Sequence, residues 1–156
     1  MNCCQYGAIV AVGLFLGLSA DKLAAQSIGP SLADAQKALV EAGESADGMG
    51  VKLSCAVVDS RGALVALARM DDASYFTADV AVGKARASAT FGAPTSALEN
   101  VRSLGVGEVI EGGAMLFVQG AVPIVQKGQL VGALGCSGAS AQQDEDAANA
   151  GIASIP

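Results

Sequence analysis

The chain contains no histidine and no tryptophan. Without histidine it lacks the usual general base near neutral pH and the commonest side-chain ligand for metals. Zinc hydrolase chemistry and Ser-His-Asp catalysis are therefore disfavoured. A bound metal or haem would have to be held by Cys, Met, Tyr, Lys, a carboxylate or a hydroxyl. Aromatics make up 4% of residues while hydrophobic residues make up 52%. The apolar mass is thus small, mainly Ala, Val and Leu. Such side chains fill thin layers, let backbones approach closely and suit flat subunit interfaces. Basic residues are also few. Nine Lys and Arg stand against fifteen Asp and Glu, a formal charge of −6. No basic stripe is available to neutralise phosphates, which argues against a nucleic-acid partner. No Lys/Arg run is suited to anionic lipid either.

Long hydrophobic runs are scarce. Ala8 to Leu18, AIVAVGLFLGL, is unbroken but shorter than the roughly 20 residues that cross a bilayer. It fits the apolar core of a signal peptide, and small residues at Ser19, Ala20, Ala24 and Ala25 place a cleavage site near Ala25. The preceding MNCCQYG lacks the usual Lys or Arg. We expect residues 1–26 to be a signal or N-terminal apolar segment and residues 27–156 to be one domain. A periplasmic or secreted protein follows, with no stable membrane span in the mature form. Of four cysteines, Cys3 and Cys4 lie in the leader, while Cys55 and Cys136 lie in predicted strands with no metal-site spacing. They read as small buried hydrophobes. They can form a disulfide only if their strands are neighbours.

What is present reads as alternating helix and hairpin. Ser31 caps a first helix with Asp34 three residues on, and Leu32, Ala35, Ala38, Leu39 and Ala42 form its apolar stripe. Val51 to Asp59 and Ala63 to Met70 read as strands joined at Ser60-Arg61-Gly62, with Asp59 organising the turn. Both faces of these strands are largely apolar, so helices or another subunit should cover them. A short strand is expected over Ala114 to Val118. A hairpin follows from Gly120 to Gln126 and Gln129 to Cys136, turning at Lys127-Gly128. Pro123 removes a ladder donor and marks an edge or bulge. Ser140 and Gln143 form a capping box ahead of a last helix whose first turn holds Asp144, Glu145 and Asp146. The glycine-rich stretch from Gly105 to Gly113 has no G-K-[ST] and is not a phosphate loop.

The stretch Thr77 to Thr95 carries the chemistry. On a helix, Val80, Ala81, Lys84, Ser88 and Phe91 fall on one side. Lys84 therefore sits amid an apolar face, where an ammonium is costly unless an anion meets it or the side chain snorkels. The candidate carboxylate partners are Asp71 and Asp144. Arg69, Met70, Asp71 and Asp72 close the second strand, with Tyr75 and Phe76 nearby. They form either an anion site with apolar walls or a solvated strand end.

Taken together, VVDSRGALVALARMDDA (Val57 to Ala73), VAVGKARASATFGAPT (Val80 to Thr95) and GAVPIVQKGQLVGALGCSG (Gly120 to Gly138) resemble the GlcG/HbpS family, also called DUF336 or the haem-degrading domain family. The resemblance runs from about Ser31 to Ile155. It implies an α+β fold, profilin-like, with a five-stranded antiparallel sheet and helices packed on it. It also implies a homo-oligomer, up to an octamer, and haem as a cofactor in some members. The N-terminal histidines of some haem-binding members have no counterpart here.

Three functions follow. The first is an oligomeric binding protein for haem or a similar anionic small molecule, in haem handling or haem and redox sensing. Its site would comprise Arg69, Met70, Asp71, Phe76, Lys84, Phe91, Thr95 and Val122, with no separate metal site. The second is an enzyme or accessory protein acting on a small hydroxy or oxo carboxylate, with Lys84 as base, anchor or Schiff-base former. The third is a structural oligomeric subunit without a ligand.

Overall fold

The computed structural model describes residues 29–102 and 115–156. The leader, Cys3, Cys4, the Gly105–Gly113 stretch and Ala114 lie outside the described residues. The elements are α1 (Leu32–Gly48), β1 (Ser54–Asp59), β2 (Leu64–Arg69), α2 (Thr77–Phe91), a 3-10 turn (Thr95–Leu98), one-turn α3 (Glu99–Arg102), β3 (Ala121–Gln126), β4 (Gln129–Ser137) and α4 (Ala141–Ala153).

Local chemistry accounts for most of the boundaries. The Ser31 hydroxyl accepts from Asp34 N and starts α1. Ser140 and Gln143 close a reciprocal capping box on α4. Gly92, at φ 62°, ends α2 in the left-handed conformation that Pro94 then prevents from continuing as helix. Asp59 Oδ1 accepts from Arg61 N and Ala63 N, each at 2.9 Å, and so shapes the β1–β2 turn. Lys127 and Gly128 both take positive φ in the tight β3–β4 turn.

The four strands pair antiparallel in the order β2-β1-β4-β3. The five-stranded expectation is corrected to four among the described residues. Met115 to Val118, expected as a strand, is irregular chain. Its backbone is used elsewhere: Leu116 N donates to Gly83 O of α2 at 3.0 Å. Gly83 allows that crossing, since a Cβ there would lie 2.9 Å from Leu116 Cγ.

One face of the sheet meets α1 and α4 in a core that includes Cys55, Val57, Val122, Ile124, Leu134 and Cys136. The other face meets α2, with Val58 and Ala133 against Ala85 and Ala89. These layers are thin because small residues face one another. A Cβ on Gly135 would lie 2.6 Å from Ala81 O and 2.7 Å from Ala85 N. Cys55 and Cys136 sit directly opposite on β1 and β4 and are joined as a disulfide. β3 is an edge strand, as Pro123 requires, and its register slips between Ile124 and Val125. The sequence expectation that both early strands are covered holds for β1, which is wholly buried. It fails within one chain for β2, which is half-buried or exposed along its length.

Candidate functional site

Lys84 lies in the second turn of α2, on the side pressed against β4 and the start of β3. It is 2% exposed. Its Nζ donates to Asp144 Oδ2 at 2.7 Å and to the Cys136 carbonyl at 3.1 Å. Asp144 stands in the first turn of α4, and its other oxygen accepts from Ala139 N at 3.0 Å. Each charge of the pair is therefore desolvated and also hydrogen-bonded, the condition under which a buried ion pair is tolerated. The approach depends on Gly120, at φ 131°, where a Cβ would fall 2.7 Å from Lys84 Nζ and 2.8 Å from Asp144 Cβ. Only glycine combines that backbone angle with the missing side chain.

Thr95 completes the same interior node. Its hydroxyl accepts from Ala121 N at 3.0 Å and lies 3.4 Å from Ala121 O. Thr95 thus ties the 3-10 turn to the first residue of β3, in place of a neighbouring strand. Lys84 and Thr95 are brought together on either side of the Gly120-Ala121 backbone, and both are buried.

The other sequence candidates lie elsewhere. Arg69 Nη1 donates to Ala73 O at 3.0 Å and holds the loop that leads into α2. Asp71 and Asp72 are exposed in that loop, and Asp72 takes φ 67°. Phe76 is half exposed and meets Tyr75 edge-on, with ring centroids 5.7 Å apart. Met70 belongs to the opposite face, where its Sδ accepts from Leu53 N at 3.4 Å. It borders a groove of about 610 Å³ between α1 and β2. Phe91 packs edge-on against Phe117 at the far end of α2, with centroids 5.6 Å apart. Val122 is core beneath α1 and α4. The eight candidates therefore fall in separate places: an interior node, a surface loop, a groove, an aromatic contact and the core.

Sequence reading missed two parts of this arrangement. Ser54 Oγ, in β1, meets Thr77 Oγ1 at 2.7 Å, and Thr77 Oγ1 also reaches Ser74 O, so the start of α2 is pinned to the sheet. Ser96 Oγ donates to Glu145 Oε1 at 3.0 Å, a second link between the 3-10 turn and α4. Ser54 and Thr77 gave one signal, as polar residues at otherwise apolar positions. Among the described residues no group of three His, Cys, Asp or Glu could hold a metal ion, and no helix is long and apolar enough to cross a membrane.

Comparison with known proteins places this geometry. Protein GlcG of Escherichia coli (strain K12) is 35% identical over 101 residues, covering 64% of this chain and 75% of that protein. A double mutant of HbpS from Streptomyces reticuli superposes with a TM-score of 0.75 at 31% identity, covering 96% of this chain and 97% of that one. PduOC, solved as a haem complex, superposes with a TM-score of 0.75 at 28% identity, covering 82% of this chain and 96% of that one. The model of the family "Haem degrading protein HbpS-like" matches residues 31–153, which span the helices, the sheet and the Lys84–Asp144 node, so the chain belongs to the GlcG/HbpS-like family.

Proposed function

We propose that this protein is an exported, oligomeric binding protein for haem or a chemically similar flat anion, acting in haem handling or redox sensing. The observation that carries this is membership of an HbpS-like family together with a relative, PduOC, crystallised with haem.

The fit to haem rests on which side chains are already engaged. The Thr95 hydroxyl, the Lys84 amine and the Met70 sulfur all have internal partners. Tyr75 differs, being 83% exposed beside Phe76. Tyr75 would supply an oxygen of a kind known to ligate haem iron. Arg69 braces the loop that presents both rings. The N-cap position of α2, Phe76, offers no side-chain cap, so the positive end of that helix lies at the same place. In this arrangement Tyr75 and Phe76 would hold the macrocycle. Arg69 and the start of α2 would hold its carboxylates. Asp71 and Asp72 oppose an anion on their own side of the loop and so orient it. Bound haem supplies one-electron chemistry at iron, while the chain binds and orients it. Lys84 and Thr95 act here as interior scaffold, and Phe91 and Val122 lie apart from the loop.

The Cys55–Cys136 bond supports the exported location, because structural disulfides persist in oxidising compartments. The apolar run before residue 26 supports it independently.

Hemin titration of the full chain tests the proposal. We expect a saturable shift of the Soret band. Tyr75→Phe should change the band position, and Arg69→Ala should weaken binding roughly tenfold through loss of a charge-assisted contact. No spectral change with the wild-type chain overturns haem as the ligand. A normal Tyr75→Phe spectrum overturns only the place assigned to it.

A further inference from the structure

The groove between α1 and β2 is kept open by missing side chains. Val57 pairs with Ala66 and Val58 with Leu64, so Val65 is an extra residue that bends β2. Beyond this bulge, Ala66 and Ala68 stand opposite Val57 and Cys55, on the face that α1 covers, and Met70 follows on the same face. The α1 residue that lines the groove with these alanines is Gly43. A Cβ on Gly43 would meet nothing within 4 Å. Glycine is a poorer helix former than alanine. Neither a positive φ nor a close approach requires it in the middle of α1. Its effect is to leave the groove unfilled. Leu39, Val40 and Met70 add apolar walls. A volume of about 610 Å³ is that of a small-molecule site.

One end of this groove is acidic. Glu44 and Asp47 line it from successive turns of α1, and both are exposed. The Lys52 ammonium reaches Asp47 at 2.7 Å. Its pKa is raised by the hydrogen bond and attraction to Asp47, and further by Asp72 and Asp71, which follow β2. Lys52 therefore sits among three carboxylates, and Glu44 adds negative charge a turn away. Arg69, by alternation from Met70, turns to the other face and holds the Ala73 carbonyl. We propose that the groove binds a protonated amine with an apolar body. The body fills the space over Gly43, Ala66 and Ala68, and the ammonium donates to Glu44 and Asp47. Charge selects this occupant: a neutral ligand leaves the carboxylates unanswered, and an anion is repelled. Lys52 is an internal stand-in, an alkylammonium already seated on Asp47 in competition with the ligand. Among the described residues no aromatic ring lines the groove. That favours an ammonium with N–H donors over a quaternary one, which aromatic cages hold.

The test is fluorescence titration of the full chain with dansylcadaverine, an alkylamine carrying an apolar fluorophore. Dansyl-aminocaproic acid, which ends in a carboxylate instead, is the control. Haem plays no part, so the outcome is independent of the function proposed above. We expect saturable, blue-shifted emission from the amine and binding at least about tenfold weaker from the acid. Gly43→Leu fills the groove and should abolish the signal without lowering the unfolding midpoint. Glu44→Gln should weaken amine binding roughly fivefold, as one partly exposed charge pair allows. Lys52→Ala should tighten it by a similar factor, because Asp47 loses its own ammonium. A wild-type chain that gives no saturable emission overturns the site. If light scattering then reports an oligomer, the groove passes to a second copy. Equal binding of amine and acid overturns the choice of an amine. Emission that persists in Gly43→Leu places the probe elsewhere and overturns the groove. Should Gly43→Leu fail to fold, unchanged affinity in both Glu44→Gln and Lys52→Ala overturns the proposal.

Discussion

At the scale of the residue, the decisive contact is Lys84 with Asp144, each side chain 3% exposed. Removing one member strands the other in a dry interior, so Lys84→Met and Asp144→Leu should each cost about 3–5 kcal/mol. The double variant Lys84→Met/Asp144→Leu should cost less than either single change. Urea unfolding of the four proteins checks this through the coupling energy. The pair is complete without a substrate, so a covalent role for Lys84 requires its own sign. Borohydride trapping of a keto acid on Lys84 would supply it. Thr95→Val keeps the shape but strips the acceptor from buried Ala121 N, and should cost about 1–3 kcal/mol in the same assay. Surface pairs behave otherwise. Hydrogen bonding and attraction to Asp47 raise the Lys52 pKa. Whatever that pair contributes is present below the ordinary lysine range and is lost as pH rises through the raised value. Lys52 lies in solvent, so Lys52→Ala should leave the unfolding midpoint at neutral pH nearly unchanged. The burial of Lys84 was legible from helical spacing. Its partner was not, because Asp71 and Asp144 were equally eligible until the fold set one beside it and left the other in solvent.

At the scale of the element, glycines and the disulfide set how the layers meet. Gly135→Ala should force α2 off β4 and cost about 1–3 kcal/mol, an overpacking penalty measured by thermal or urea unfolding. The Cys55–Cys136 bond closes a separation of 81 residues. By chain entropy, replacing both cysteines with alanine should cost up to about 4.5 kcal/mol, with typical bonds contributing roughly 2–4. Thiol titration of the unreduced, unfolded protein should find neither Cys55 nor Cys136 free. Strand and helix identities were legible because turn residues and capping boxes act within a few positions. The expected strand at Met115 to Val118 was not. Its residues are apolar and strand-like, but their backbone bonds to α2 at Gly83, a choice that depends on where α2 lies.

At the scale of the molecule, the Cys55–Cys136 disulfide supports the proposed export, because structural disulfides persist in oxidising compartments. Expression with the leader intact in a bacterial host should yield a periplasmic protein whose mass begins near Ala25. A cytoplasmic product of full mass would count against export. Surface groups such as Tyr75 and Phe76 are the part of the haem proposal that local pattern reaches least. Aromatics beside a strand end read equally as a site or as a solvated turn.

The sequence alone determined what rests on short-range chemistry or on totals: an α+β fold, its caps and hairpins, an acidic composition, no histidine chemistry and a lysine on an apolar helix face. Only the tertiary structure decided which distant groups meet. Asp144 reached Lys84, Cys55 came opposite Cys136, Thr95 took Ala121, and the eight candidate residues separated into several places. The reason is range. Propensity and periodicity act over a few residues, whereas partners 60 or 81 positions apart are chosen by the order of strands in the sheet and by where glycine lets one layer approach the next.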